Sequence, residues 1–237
     1  MSLLQENKTP QLCRWHYFTA TSELEQAALD LILSAAKLSI SDHGAFHIVL
    51  AGGTTPRKIY EALRNVQTDW HAWHVYFGDE RCLPIDHVER NSHMAEVAWL
   101  SHVAIPETQI HAIPAQRGAT IAAERYAQLL NKLEFFDLVL LGLGEDGHTA
   151  SLFPGHDAGN ESDSAATLTI LDAPKPPPQR VSLSARRLSL TKQVIFLVTG
   201  SSKKQAVSDW QNGVAIPASK ITPENGVDIL VEAALFD

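Results

Sequence analysis

The sequence predicts an α/β protein with a mostly parallel sheet and helices on both faces. Short apolar runs such as FHIVLA and FDLVLLG alternate with helix-length amphipathic segments almost throughout the chain. Apolar strands joined by helices imply parallel pairing and cover on both faces. The 237 residues, 45% hydrophobic and 19% charged, can also bury a substantial core.

The elements follow in order. LCRWHYF (Leu12–Phe18) reads as a first strand, and SELEQAALDLILSAAKL as a helix with Ser22 and Glu25 at capping-box spacing. FHIVLA (Phe46–Ala51) is a buried strand, followed by GGTTP and a helix from Pro56 to about Arg64. WHVYF is a strand that runs into GDERCLP, NSHMAEVAWL a helix from Asn91, IHAIP a short strand and ATIAAERYAQLLNKLE a long amphipathic helix. FDLVLLG is the next buried strand. Gly155–Ser164 is a polar loop, and APKPPP is a stiff connector between the strands ATLTIL and RVSLS. QVIFLVT, the helix SSKKQAVSDW and the strand VDILVE close the chain. With no internal repeat and no long linker, a single domain over residues 1–237 is expected.

Charge and cysteine usage exclude whole classes. A formal charge of -8 argues against nucleic-acid and membrane-surface partners. MSLLQENKTP lacks the basic and apolar regions of a signal peptide, and no apolar run spans a bilayer. Cys13 and Cys82 form no CxxC, so neither a disulfide framework nor a zinc knuckle is indicated. These observations predict a soluble protein of the reducing cytoplasm, a monomer or weak homo-oligomer.

In such sheets ligands bind beyond the carboxyl ends of the strands, and four strands here end in loops with chemical potential. AGGTTP sets Gly52, Gly53 and Thr54 before a helix with Pro56 in its first turn. Thr55 is available as a cap. Free N–H groups at such a start suit a phosphate, although a tight turn would read the same. GDER (Gly78–Arg81), taken alone, is a solvated turn with a surface ion pair worth about 0–1 kcal/mol. GLGEDG matches a dinucleotide fingerprint, but Pro154 and Gly155 interrupt the helix that should follow, and no acid ends the next strand. His148, beside Asp146 and Gly147 past a buried strand, is one of eleven histidines. Its placement favours an exposed imidazole suited to taking a proton from water. No HExxH or cysteine cluster points to a metal, and no GxSxG to a serine nucleophile. Arg180 follows the proline run and Lys203 opens a helix. Each alone reads as a surface cation, while together they offer an anion a planar fork and a point charge.

Taken together, LAGGTTPRKIYEAL, YFGDERCLP, LLGLGEDGHTASLFPG, DAPKPPPQRVSLS and VTGSSKKQAV resemble the 6-phosphogluconolactonase family, in the family's order, over residues from about 50 to 207. The resemblance implies a Rossmann-like α/β fold shared with glucosamine-6-phosphate deaminase. It also implies hydrolysis of 6-phosphoglucono-δ-lactone to 6-phosphogluconate in the oxidative pentose phosphate pathway, with no cofactor or required metal. The deaminase carries a pattern like IAFNEP where this chain has TASLFP, with Phe153 in place of the glutamate, and MDEY where this chain has GDER. Both departures favour the lactonase. A regulator on this fold would need an attached DNA-binding module, and only about eleven residues precede the first strand. The C-terminal DILVEAALFD is a loose match to the family's last strand.

On that resemblance the phosphate rests on Gly52, Gly53 and Thr54, with Arg180 and Lys203 neutralising it. His148 is the general base on water and Asp146 its orienting group. Arg81 binds sugar hydroxyls or the developing oxyanion, an alternative the sequence leaves open.

Overall fold

The computed structural model describes residues 11–236. The reading of the first ten residues as free of a targeting signal lies outside them. In chain order the elements are β1 (Cys13–Phe18), α1 (Thr21–His43), β2 (Phe46–Leu50), α2 (Thr54–Leu63), β3 (Trp73–Phe77), β4 (Asp79–Arg81), α3 (Asn91–Ala98), β5 (Ile110–His111), α4 (Ala119–Leu130), β6 (Phe136–Gly142), β7 (Thr167–Ile170), β8 (Arg180–Leu183), α5 (Ala185–Ser189), β9 (Thr191–Val198), α6 (Lys204–Gln211) and β10 (Val227–Glu232).

Seven strands form one sheet in the order β1-β10-β9-β6-β2-β3-β5, every pairing parallel. The expected parallel α/β architecture holds. Strands walled by helices lose water on both sides, which is why the later parts of β2, β6 and β9 and the middle of β10 are runs of apolar residues. Their side chains join those of the helices in one core. Among the described residues no helix is long and apolar enough to cross a membrane.

Three local expectations are corrected. The cap of α1 lies two residues earlier than Ser22: Ala20 is the extended N-cap residue, and the Glu23 carboxylate accepts from its N–H at 3.3 Å and from the Thr19 hydroxyl at 2.8 Å. Ser22 already lies inside the helix, so Glu25 is two positions too late to fold back on the cap. Thr55 does not cap α2. Its hydroxyl bonds that of Thr199 at 2.7 Å, tying the turn after β2 to the end of β9.

The third correction concerns GDER, which is no solvated turn. Asp79–Arg81 is a strand in a second, antiparallel sheet of order β4-β8-β7. Asp79 and Glu80 are buried there. Burying a carboxylate is costly unless donors surround it. Glu80 accepts from the Asn91 and Ser92 N–H groups at 2.8 and 2.9 Å and from the Ser92 hydroxyl at 2.6 Å, and the Arg90 guanidinium lies 3.2 Å away. That set pins the first turn of α3. The proline connector doubles back on itself, with Ala173 N donating to Pro178 O at 3.0 Å.

This architecture decides where a site can be. β9, β6 and β2 are neighbours, so the turn with Lys203, the loop with His148 and the turn with Gly52 emerge side by side at one sheet edge. β4 and β8 close the cleft from the side.

Candidate active site

The loop after β6 folds back at once: Gly144 N donates to His148 O at 2.7 Å, and Gly147 N to Gly144 O at 3.1 Å. The Asp146 carboxylate receives His148 Nδ1 and, at 3.2 Å, the His148 backbone N–H. Two glycines make this pair sterically possible. Gly147 has φ of 80°, a region that L side chains avoid. At Gly144 the demand is space, since a Cβ there would lie 2.0 Å from His148 Nδ1 and 2.6 Å from Asp146 Oδ1. Ala150, also on the cleft wall, holds a positive φ of 48° without being glycine. Such strain is kept where the surrounding fold imposes it.

A carboxylate on Nδ1 assigns the proton to that nitrogen and leaves the Nε2 lone pair free. No described residue bonds Nε2, and the side chain is 19% exposed. The Phe153 ring backs the imidazole at 4.8 Å. Burial by itself would raise the Asp146 carboxyl, but its hydrogen bonds from His148 outweigh this and hold it below the usual carboxylate range.

One cleft of about 240 Å³ brings His148 together with Gly52, Gly53, Arg81, Arg180 and Lys203. Thr54 opens α2 and is not among the residues lining it. Asp146 stands behind the imidazole rather than on the cleft surface. Gly53 is the N-cap of α2, with no side chain capping the first turn, so the amide groups there remain available to an anion.

The cations are arranged by the small sheet. Its register sets Arg81 directly opposite Arg180, and like charges in that position repel unless an anion lies between or beside them. Arg180 is only 5% exposed. Its Nε donates to Pro177 O at 3.1 Å and its Nη2 to Lys175 O and Pro176 O at 2.9 and 3.2 Å. Nη1 is left without a partner among the described residues. Arg81 donates through Nη1 to Glu89 O, while its buried Nε has no partner. Burial, with Lys175 adding to it, lowers the Lys203 ammonium from its ordinary value. Lys175 also bonds Glu145 at 2.7 Å, joining the proline connector to the histidine loop.

Sequence reasoning missed four residues of this site. In the sequence Gly144 reads only as part of a loop and Asn91 only as a helix start, and no local pattern marks Asp79 or Ser151. A glycine two positions before an acid and four before a histidine was the one usable signal. Among the described residues no group of three or more His, Cys, Asp or Glu could hold a metal ion. Nor does a helix follow GLGEDG: Thr149 and Leu152 close a bridged turn instead, which leaves the dinucleotide fingerprint without its second half.

The family model described as glucosamine-6-phosphate isomerases/6-phosphogluconolactonase matches residues 19–230. The chain belongs to that family. A 6-phosphogluconolactonase of a Nostoc species is 36% identical over 220 residues, covering 87% of this chain and 90% of its own. The structure of 6-phosphogluconolactonase from Trypanosoma brucei aligns with a TM-score of 0.83 at 27% identity, over 95% of this chain and 98% of that one. The one from Thermotoga maritima reaches 0.86 at 24% identity over 93% and 100%, a likeness of fold. Within the family, then, this chain groups with the lactonases, which are hydrolytic enzymes.

Proposed function

We propose that the protein hydrolyses 6-phospho-D-glucono-1,5-lactone to 6-phospho-D-gluconate in the oxidative pentose phosphate pathway. The observation that carries this is one cleft holding a carboxylate-oriented imidazole beside a glycine turn and three cations. The phosphate rests on the amides of Gly52, Gly53 and Thr54, with Arg180 Nη1 and Lys203 neutralising it. Anchored there, the lactone presents C1 to a water held by His148 Nε2. The imidazole takes the water proton as oxygen attacks C1, and the carbonyl oxygen becomes an oxyanion. Collapse breaks the bond from C1 to the ring oxygen, and the imidazolium returns its proton to that oxygen. Asp146 steadies the cation formed in between. The Arg81 guanidinium is a donor for the oxyanion or for a sugar hydroxyl. Phe153, buried where the deaminase has an acid, supplies no group for ring-opening chemistry.

The reading includes a single domain acting in the cytoplasm, monomeric or weakly self-associating, without nucleic-acid or membrane partners. The free cysteines Cys13 and Cys82 and the charge of -8 support it.

Lactone hydrolysis measured above the spontaneous background tests the proposal, with and without chelator and against glucosamine 6-phosphate. Chelator-insensitive lactone turnover with no deamination is expected. His148→Ala should lower kcat by about 10²–10⁴ while substrate still binds, and near-normal turnover would remove the base.

A further inference from the structure

A chain of buried polar groups begins on the cleft wall with Asn91 and Asp79 and continues behind it to Ser151, and the reaction above uses none of them. Asn91 is 4% exposed, and its amide occupies the space a side chain at position 52 would need: a Cβ on Gly52 would lie 2.1 Å from Asn91 Oδ1. Through Nδ2 the same amide donates to Asp79 Oδ1 at 2.8 Å and to the Asp79 carbonyl at 2.9 Å. The second Asp79 carboxylate oxygen accepts from Ser151 Oγ at 2.6 Å. Ser151 lies in the loop of His148, wholly buried, and its N–H donates to Ser182 Oγ at 3.2 Å. The backbone of Asn91 is held in turn by Glu80.

Two segments thus meet at one carboxylate, the start of α3 and the loop after β6, and the turn after β2 packs against the Asn91 amide that reaches it. Buried hydrogen-bonded charge adds little net stability, and any one of these contacts is replaceable by apolar packing. What the hydrogen bonds add is a directional link, at 2.6–2.9 Å per bond, between the two segments that hold opposite ends of a ligand.

We propose that Asn91, acting through Asp79 and Ser151, is a positioning residue that sets the separation between the anion cradle at Gly52 and the imidazole of His148. The inference rests on the lactonase reading, because there the cradle holds one end of the substrate and the imidazole addresses the other. Asn91 lines the cleft but spends its amide donor on Asp79, and Ser151 lies outside the cleft lining. A misplacement of about 1 Å costs on the order of 10² in rate, so loosening the chain acts on kcat while the anion still finds its cradle.

The test uses the full chain as wild type, Asn91→Ala, Ser151→Ala and the double variant. It measures kcat and KM for the lactone, inhibition by inorganic phosphate, and Tm. Each single variant should lower kcat about tenfold or more with phosphate inhibition within about twofold of wild type. The double variant should be no slower than the slower single, because the two side chains are coupled only through Asp79. Additive losses in kcat overturn the proposal, as does phosphate inhibition weakening in step with kcat. Asn91→Asp, equal in size but without the donor, covers the case of an alanine variant that does not fold; wild-type kcat there also overturns it. A wild-type protein with no hydrolysis above background sinks the lactonase reading and this inference together, whereas an active wild type with additive variants sinks this inference alone.

Discussion

Gly144 decides where the imidazole of His148 stands. Its backbone does not require a positive φ; the constraint is the missing side chain, whose place is taken by His148 Nδ1 and Asp146 Oδ1. A methyl group there must push the imidazole away or break its bond to Asp146. Gly144→Ala should therefore lower kcat by on the order of 10² with a small change in Tm, measured by lactone turnover beside thermal unfolding. A loss of fold with activity per folded molecule unchanged would contradict it. At this scale the sequence was informative about chemistry: His148 with Asp146 two positions earlier, past an apolar strand, reads as an exposed imidazole with a carboxylate at hand. It was silent on Asn91, Asp79 and Ser151, whose partners come from other segments.

Between elements, the β4–β8 ladder does the most to shape the cleft. A three-residue strand shows no periodicity, and its partner β8 lies far along the chain, so GDER reads as a turn until the ladder is seen. Pairing explains the burial of its acids and aligns Arg81 with Arg180. Arg180 also holds the proline connector through three carbonyl oxygens. Lysine keeps the charge but not the planar fork. Arg180→Lys should raise KM for the phosphorylated lactone about tenfold, the size of one lost charge-assisted bond, with kcat changed far less. If the variant preferred phosphorylated over unphosphorylated lactone as strongly as wild type, the anion would bind elsewhere.

Across the whole molecule, a second set of imidazoles sits toward the starts of β2 and β3, away from the cleft. His47 and His74 stack at 4.7 Å, His74 and His111 at 5.7 Å, and Tyr76 lies on His111 at 4.4 Å. Burial, with the neighbouring His74 adding to it, pushes His47 and His111 down to about 4, although Asp137 pulls His47 the other way; burial also lowers His74. In the unfolded chain these groups titrate near 6.5, roughly. The unfolded state therefore binds protons that the fold refuses, so stability is full above about pH 6.5 and falls as pH drops toward about 4. The buried Asp228 carboxyl, held down to about 2 by hydrogen bonds led by Arg14, gives way only below roughly pH 3.9. Tm measured from pH 7 to 4 should show the loss, and His111→Phe should make it shallower; an unchanged slope would free these imidazoles from the effect. None of this was legible in the sequence, where the histidines of β2, β3 and β5 are separated by whole helices. By itself the sequence determined which segments become buried parallel strands and which loops follow them, because apolar periodicity and glycine placement act within a few residues. Only the tertiary structure decided the second sheet, the facing arginines and the carboxylate joining Gly52 to the histidine loop, because each needs partners that long-range pairing alone brings within hydrogen-bond reach.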